Sequence, residues 1–275
     1  PRQRESLNPF LIPLSKAEDG SMHCYIRWPT QKPDVDIQIV KTTESGVKLV
    51  ALSTDHLCKR IAVEMDFYTK PESEEAIKMV NKDGDMYQSG DYLPLLKSGK
   101  FPTLTPEDLH LVLARFLLTK VAAFPDCYED LARDYVAKGD ITSALVTCER
   151  AVSVFYGWGH PMAYHAQTLH KVGRDKEARD TARAALSNPL WTVTDSFKDL
   201  DELAQIAGFT GSAILGEMHA YRAKDPRTEE ISEGLSPIQL TLDQTAHYMD
   251  AVAIGTEPGG WVAARETVAA KYTEG

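Results

Sequence analysis

The stretch that decides the fold is YEDLARDYVAKGDITSALVTCERA, residues 128–151, read against MAYHAQTLHKVGRDKEARDTARAA, residues 162–185. Shifting the chain by 34 residues aligns Ala132 with Ala166, Gly139 with Gly173, Ala144 with Ala178 and Ala151 with Ala185. Four small residues at one offset describe a repeated structural unit. Two helices pack closely where alanine sits at their crossing, and glycine permits the tight turn between them. The spacing therefore predicts two helical hairpins, about 125–158 and 159–192, with Tyr128, Leu131 and Tyr135 filling neighbouring holes.

Outward from the repeat, the pattern stays helical. Thr105-Pro-Glu-Asp108 combines an N-cap, a first-turn proline and two acids, and predicts a long helix to Phe124. Asp199–Gly208 with Gly211–Arg222 reads as a degenerate third hairpin, followed by a charged loop, 224–237. A helix capped at Thr241-Leu-Asp-Gln244 and a last one after Gly260, carrying Trp261, Ala264, Val268 and Tyr272, complete the predicted helical part.

On the N-terminal side, Pro9 and Pro13 favour an extended arm over residues 1–20. Met22, Cys24, Ile26 and Trp28 alternate with His23, Tyr25 and Arg27, which predicts a half-buried strand. Asp36–Thr43 and Val47–Ser53, joined at Glu44-Ser-Gly46, read as a hairpin. Thr54 or Asp55 can cap a helix with the apolar stripe Leu57, Cys58, Ile61, Met65 and Tyr68. The expected fold is mainly α: a stack of antiparallel helical hairpins over 105–275 behind a small α+β element over 21–104, with about three antiparallel strands and a helix.

The 275 residues are 43% hydrophobic and 25% charged, proportions that exclude disordered, collagenous and disulfide-scaffold classes. Net charge is -10, which disfavours a large nucleic-acid footprint, and Asp126, Glu129 and Asp130 argue against helical-repeat RNA binding. Cys24, Cys58, Cys127 and Cys148 have no CxxC spacing and read as reduced thiols. The apolar run 109–124 is broken by His110, Arg115 and Lys120 and is too short to span a bilayer. The first residue is Pro1 rather than methionine, which fits a leader removed ahead of it.

Residues 128–151 resemble the tetratricopeptide repeat: Tyr128, Leu131, Ala132, Tyr135, Gly139, Ala144 and Ala151 stand where that family expects aromatic, leucine, small, aromatic, glycine and two alanines. The second unit departs at Met162 and Leu169. The resemblance implies a non-catalytic scaffold that holds a partner protein in a groove lined by the first helix of each hairpin. Its groove positions would be Asp126, Glu129, Asp130 and Arg133 in the first unit, with His160, Ala163, Tyr164, Gln167, His170 and Lys171 in the second. The chaperone-binding branch uses lysine and asparagine where Glu129, Arg133 and Tyr164 stand, so chaperone C-terminal tails are not expected ligands. A solvated polar face is the alternative reading of the same positions. The segments His23–Pro29 and Ala62–Tyr68 are also similar to plastid proteins of plants and algae, which implies a chloroplast subunit or assembly factor of a photosynthetic complex, reaching a membrane only through that complex. Without that likeness the address would be cytoplasmic.

No cofactor or metal is expected. His160, His165 and His170 are five apart and fall on different helical faces, Glu217 and His219 lack a second histidine, and Asp83–Tyr87 matches only the start of a calcium loop. His56 and Cys58 are too close in one helix to form a base–nucleophile pair, and Cys24 and Cys58 are expected in the core. An enzyme or small-molecule binder using His23, Tyr25, Arg27 or a cysteine between sheet and helices stays open as the alternative; a cavity of convergent polar groups would mark it. The four tryptophans read as packing anchors, with Tyr156-Gly-Trp-Gly159 as a corner whose tryptophan, if exposed, would be a partner hot spot.

Overall fold

The computed structural model describes residues 7, 8, 10–28, 35–44, 46–82, 84, 86–97 and 105–209. The helices expected after residue 210 and the acids Asp83 and Asp85 lie outside the described residues. The architecture is mainly α with a small N-terminal sheet, as the sequence implies.

The sheet has four antiparallel strands rather than three, in the order β1 (Leu11–Lys16), β2 (Met22–Ile26), β3 (Gln38–Thr42) and β4 (Val47–Ala51). The added strand comes from the segment expected to be an arm. Pro13 is tolerated because β1 is an edge strand, and a bulge between Pro13 and Ser15 adjusts the register. Leu11 pairs with Ile26 and Pro13 with Cys24, so the inward face is Leu11, Cys24 and Ile26, all buried.

The chain forms two compact units, one within Pro1–Pro33, Val40–Lys48 and Phe155–Gly275, the other within Asp34–Ile39 and Leu49–Val154. In the second of these, α1 (Thr54–Phe67) is capped by Ser53, whose hydroxyl accepts from the His56 amide. Serine takes the place expected of Thr54 or Asp55 because its extended backbone points the hydroxyl back at the first turn. The fully buried positions of α1 are Ala62 and Val63; of the expected stripe, Leu57 and Met65 are half-buried, while Cys58, Ile61 and Tyr68 are exposed. Asp66 then ties down the following segment. It accepts from the Tyr87 and Ser89 hydroxyls at 2.7 Å each and from the Gly90 amide at 2.9 Å. Asn81, closing α2 (Ser73–Val80), accepts the Met86 and Tyr87 amides and donates to the Tyr87 carbonyl. After the short α3 (Leu93–Leu96), Thr105 and Asp108 form the expected capping box of α4 (Pro106–Phe116). This helix widens to a π-helical turn at Leu117–Val121 and stops there, three residues short of the expected end. Ala122 is extended, and Phe124 enters α5 (Pro125–Ala137), which packs on α6 (Ile141–Val154).

The other unit contains α7 (Gly159–Lys171), α8 (Asp175–Leu186) and α9 (Phe197–Ile206). The repeat has the physical basis its residue types suggest: Ala132, Ala144, Ala166, Ala178 and Ala185 are fully buried, and Ala151 nearly so. Gly139 and Gly173 have φ of 77° and 80°, and each closes its helix with the same pair of backbone bonds. Gly139 and Asp140 donate to Val136 and Tyr135, and Gly173 and Arg174 to His170 and Leu169. Gly208 ends α9 identically, so the third, degenerate unit keeps its turn signal. Trp28 and Trp191 stack with centroids 5.1 Å apart, and Trp158 meets Trp28 edge-on at 5.6 Å, making three of the four tryptophans packing anchors. Trp261 lies outside the described residues. At the corner before α7 the exposed aromatic is Tyr156, whereas Trp158 is buried.

Candidate functional site

Two of the expected groove residues of the first hairpin, Asp126 and Asp130, recur with Asp134 every four residues and form one stripe along α5. Each acid meets a cation of the same unit. The Arg60 guanidinium of α1 donates to both oxygens of Asp126, also reaches Glu64 at 2.7 Å, and lies 4.9 Å over the Phe124 ring. Burial works against the Arg60 charge, but the bonds to Asp126 outweigh it and hold the guanidinium protonated. Asp130 is gripped by His110 of α4 at 2.6 Å and by Arg133 at 2.8 Å. Asp134 binds Lys138 at 2.7 Å, with Arg115 of α4 at 3.9 Å. Asp126 and Asp130 therefore serve to fasten α5 to α1 and α4. Glu129 is half-buried and Arg133 exposed. Beside them, burial pushes the Cys127 thiol well above its usual range, which keeps it unreactive.

In the other unit, His160, Tyr164 and Gln167 are half-buried along α7, Ala163 is in the core, and His170 and Lys171 are exposed at its end. His170 is 2.7 Å from Asp175. His160 sits 4.0 Å from Asp195, whose carboxylate also faces Lys48 at 3.3 Å.

That contact leads to a polar cavity of about 560 Å³ lined by Asp19, Gly20, Ser21, Lys41, Thr42, Thr43, Glu44, Lys48 and Asp195. Sequence reasoning missed it, because its lining comes from the β1–β2 turn, the β3–β4 hairpin and the segment before α9. Its cations are already engaged: Lys41 donates to Asp19 at 2.8 Å and Lys48 to Asp195. Hydrogen bonds from Lys41 and Ser21 hold the Asp19 carboxyl well below the usual range. The pairs are half-exposed and Glu44 adds a third acid to the lining, so the cavity is an open, ion-paired pocket with one carboxylate in excess. His23, Tyr25 and Arg27 do not line it; they follow one another along the other face of β2, where the Ser15 hydroxyl lies 3.5 Å from His23 Nδ1. Cys24 is buried, while Cys58 is exposed on α1.

Among the described residues, no helix is long and apolar enough to cross a membrane. The PAB N-terminal model matches residues 1–99 and the PAB middle-domain model residues 125–210. The protein IN CHLOROPLAST ATPASE BIOGENESIS of Arabidopsis thaliana, chloroplastic by name, is 33% identical over 277 residues that take in all of this chain and 77% of that protein. The plastid expectation agrees with this relative. No solved structure matches the chain.

Proposed function

The chain belongs to the PAB family, and from that membership we propose that it is a non-catalytic assembly factor for the chloroplast ATPase, acting by holding a protein component of that complex. The observation that carries the reading is the similarity along the whole chain to a relative named for chloroplast ATPase biogenesis. The paired, solvent-open character of the polar cavity supports binding over catalysis.

The helical hairpins are read as tetratricopeptide-like, and the exposed His170 and Lys171 of α7, with the half-buried Tyr164 and Gln167 beside them, as part of the partner surface; His160, whose ring nitrogens are buried, is its inner edge. Glu129 and Arg133 remain groove candidates on α5, while Asp126 and Asp130 act there through the intramolecular pairs that fix the helix.

Depletion of the protein in chloroplasts tests the function. Assembled ATPase should fall while its separate subunits continue to be made, and affinity purification of the full chain from stroma should enrich at least one ATPase subunit. Unchanged ATPase content after depletion would remove the proposal.

A further inference from the structure

Two features that each occur once among the described residues fall on the same segment, the one that leaves α1 and forms α2. The first is a strained turn. α1 ends with amide bonds from Thr69 to the Asp66 carbonyl and from Lys70 to the Met65 carbonyl, the same pair that closes the helices at Gly139, Gly173 and Gly208. Here the left-handed position is held by Thr69, φ 53°, the one residue other than glycine with a positive φ among those described. A β-branched side chain is poorly tolerated in that region, so the closed turn carries strain that the glycine turns do not. The Thr69 side chain is exposed.

The second is a helix with no buried residue. Every other described helix of eight or more residues buries at least two, whereas α2 buries none. Ser73, Ala76, Ile77 and Val80 share one face at helical spacing and are only half-buried where α2 packs on α1, and Met79 is 71% exposed. Eight residues are too few to hold a helix alone, so α2 depends on that shallow contact. Both of its flanks return to Asp66. The Asp66 carbonyl accepts the Thr69 amide on one side, and its carboxylate accepts the Tyr87 and Ser89 hydroxyls and the Gly90 amide on the other. The base of the segment is clasped, and α2 is its weakly held part.

From these observations we infer that α2 is a strap that lifts from α1 within the folded protein, turning at Thr69 while the Asp66 carboxylate keeps Tyr87–Gly90 in place. Lifting breaks the Thr69 and Lys70 amide bonds, relieves the left-handed backbone and melts the short helix. It uncovers Ala76, Ile77 and Val80 together with the part of α1 beneath them, an apolar face that the closed form hides. The inference is independent of the assembly reading, because the strap opens without a partner.

Amide hydrogen exchange of the full chain, read residue by residue by NMR, tests it. The Val80 and Asn81 amides should exchange about a hundredfold faster than those of Ala62 and Val63 on α1, after correction for intrinsic rates, and should barely respond to urea below the unfolding transition. The Gly90 amide should stay protected with α1. Thr69→Gly should slow exchange in α2 about threefold or more by relieving the closed turn, whereas Thr69→Val, which keeps the branch and removes the hydroxyl, should not slow it. Exchange of Val80 and Asn81 at the rate and urea dependence of Ala62 and Val63 would overturn the inference, since α2 would then leave only when its unit unfolds. Unchanged exchange in Thr69→Gly, or equal slowing by Thr69→Val, would remove the strained backbone as the hinge. Exchange of Gly90 in step with α2 would remove the clasp and with it the strap.

Discussion

Replacing Gly46 with alanine examines how the β3–β4 hairpin is seated. A Cβ built on Gly46 would lie 2.0 Å from the Trp191 carbonyl oxygen and 2.6 Å from its carbonyl carbon and Cα. Those are backbone atoms, and they cannot swing aside. Trp191 is buried, its ring held by Trp28 and by Phe10 at 6.3 Å. Reaching an ordinary contact of 3.4 Å requires the hairpin tip to withdraw by more than 1 Å. That withdrawal breaks the 3.1 Å bond from the Glu44 amide to the Asp195 carbonyl and loosens Lys48 from Asp195. Overpacking costs about 1–3 kcal/mol and the lost backbone bond about 1 kcal/mol, so Gly46→Ala should destabilise by about 2–4 kcal/mol. Thermal unfolding followed by tryptophan fluorescence should show a Tm lower by about 5–10 °C. The emission change should begin with the Trp28–Trp191 cluster. A Tm within about 1 °C of the parent would refute the reasoning.

Three further perturbations address separate features. Gly139→Ala and Gly173→Ala meet no atom within 4 Å, so each should cost only the left-handed backbone, about 1–2 kcal/mol, and by nearly equal amounts in urea titrations. Arg60→Lys keeps the charge but loses the two-oxygen grip on Asp126 and the stacking on Phe124, and should lower the urea midpoint by an amount equivalent to about 1–2 kcal/mol. Burial raises the Asp66 carboxyl, but bonds from Tyr87, Ser89 and Gly90 outweigh it and leave its pKa below the ordinary value of 3.8. The depressed value means that Asp66 stabilises the fold above the unfolded carboxylate range and that this contribution is lost as pH falls through the folded pKa. Urea midpoints measured from pH 6 down to pH 3 should fall less steeply for Asp66→Asn than for the parent; parallel curves would contradict the assignment.

The repeat was legible because glycine and alanine carry their structural meaning locally: a left-handed turn and a close crossing need those residues wherever they occur. The capping box at Thr105 was legible for the same reason. On α1 the larger apolar residues misled, since Cys58, Ile61 and Tyr68 outweigh Ala62 and Val63 in hydrophobicity but face outward. β1 was hidden by Pro13, which an edge strand accommodates. The candidate site was the least legible part. Asp126 looks like a ligand position until Arg60, 66 residues away, is placed against it, and the lining of the polar cavity is gathered from three distant segments.

The seating of the hairpin on the segment before α9 also dictates an order of events. Lys48 and Asp195 are 147 residues apart, and the unit they share cannot close until the later residue has been made. At bacterial-to-eukaryotic elongation rates that interval is roughly 7–30 s, during which the early strands wait without Trp191, the ring that stacks on Trp28. A chain truncated before residue 191 would lack both the ring that stacks on Trp28 and the backbone against which Gly46 is seated.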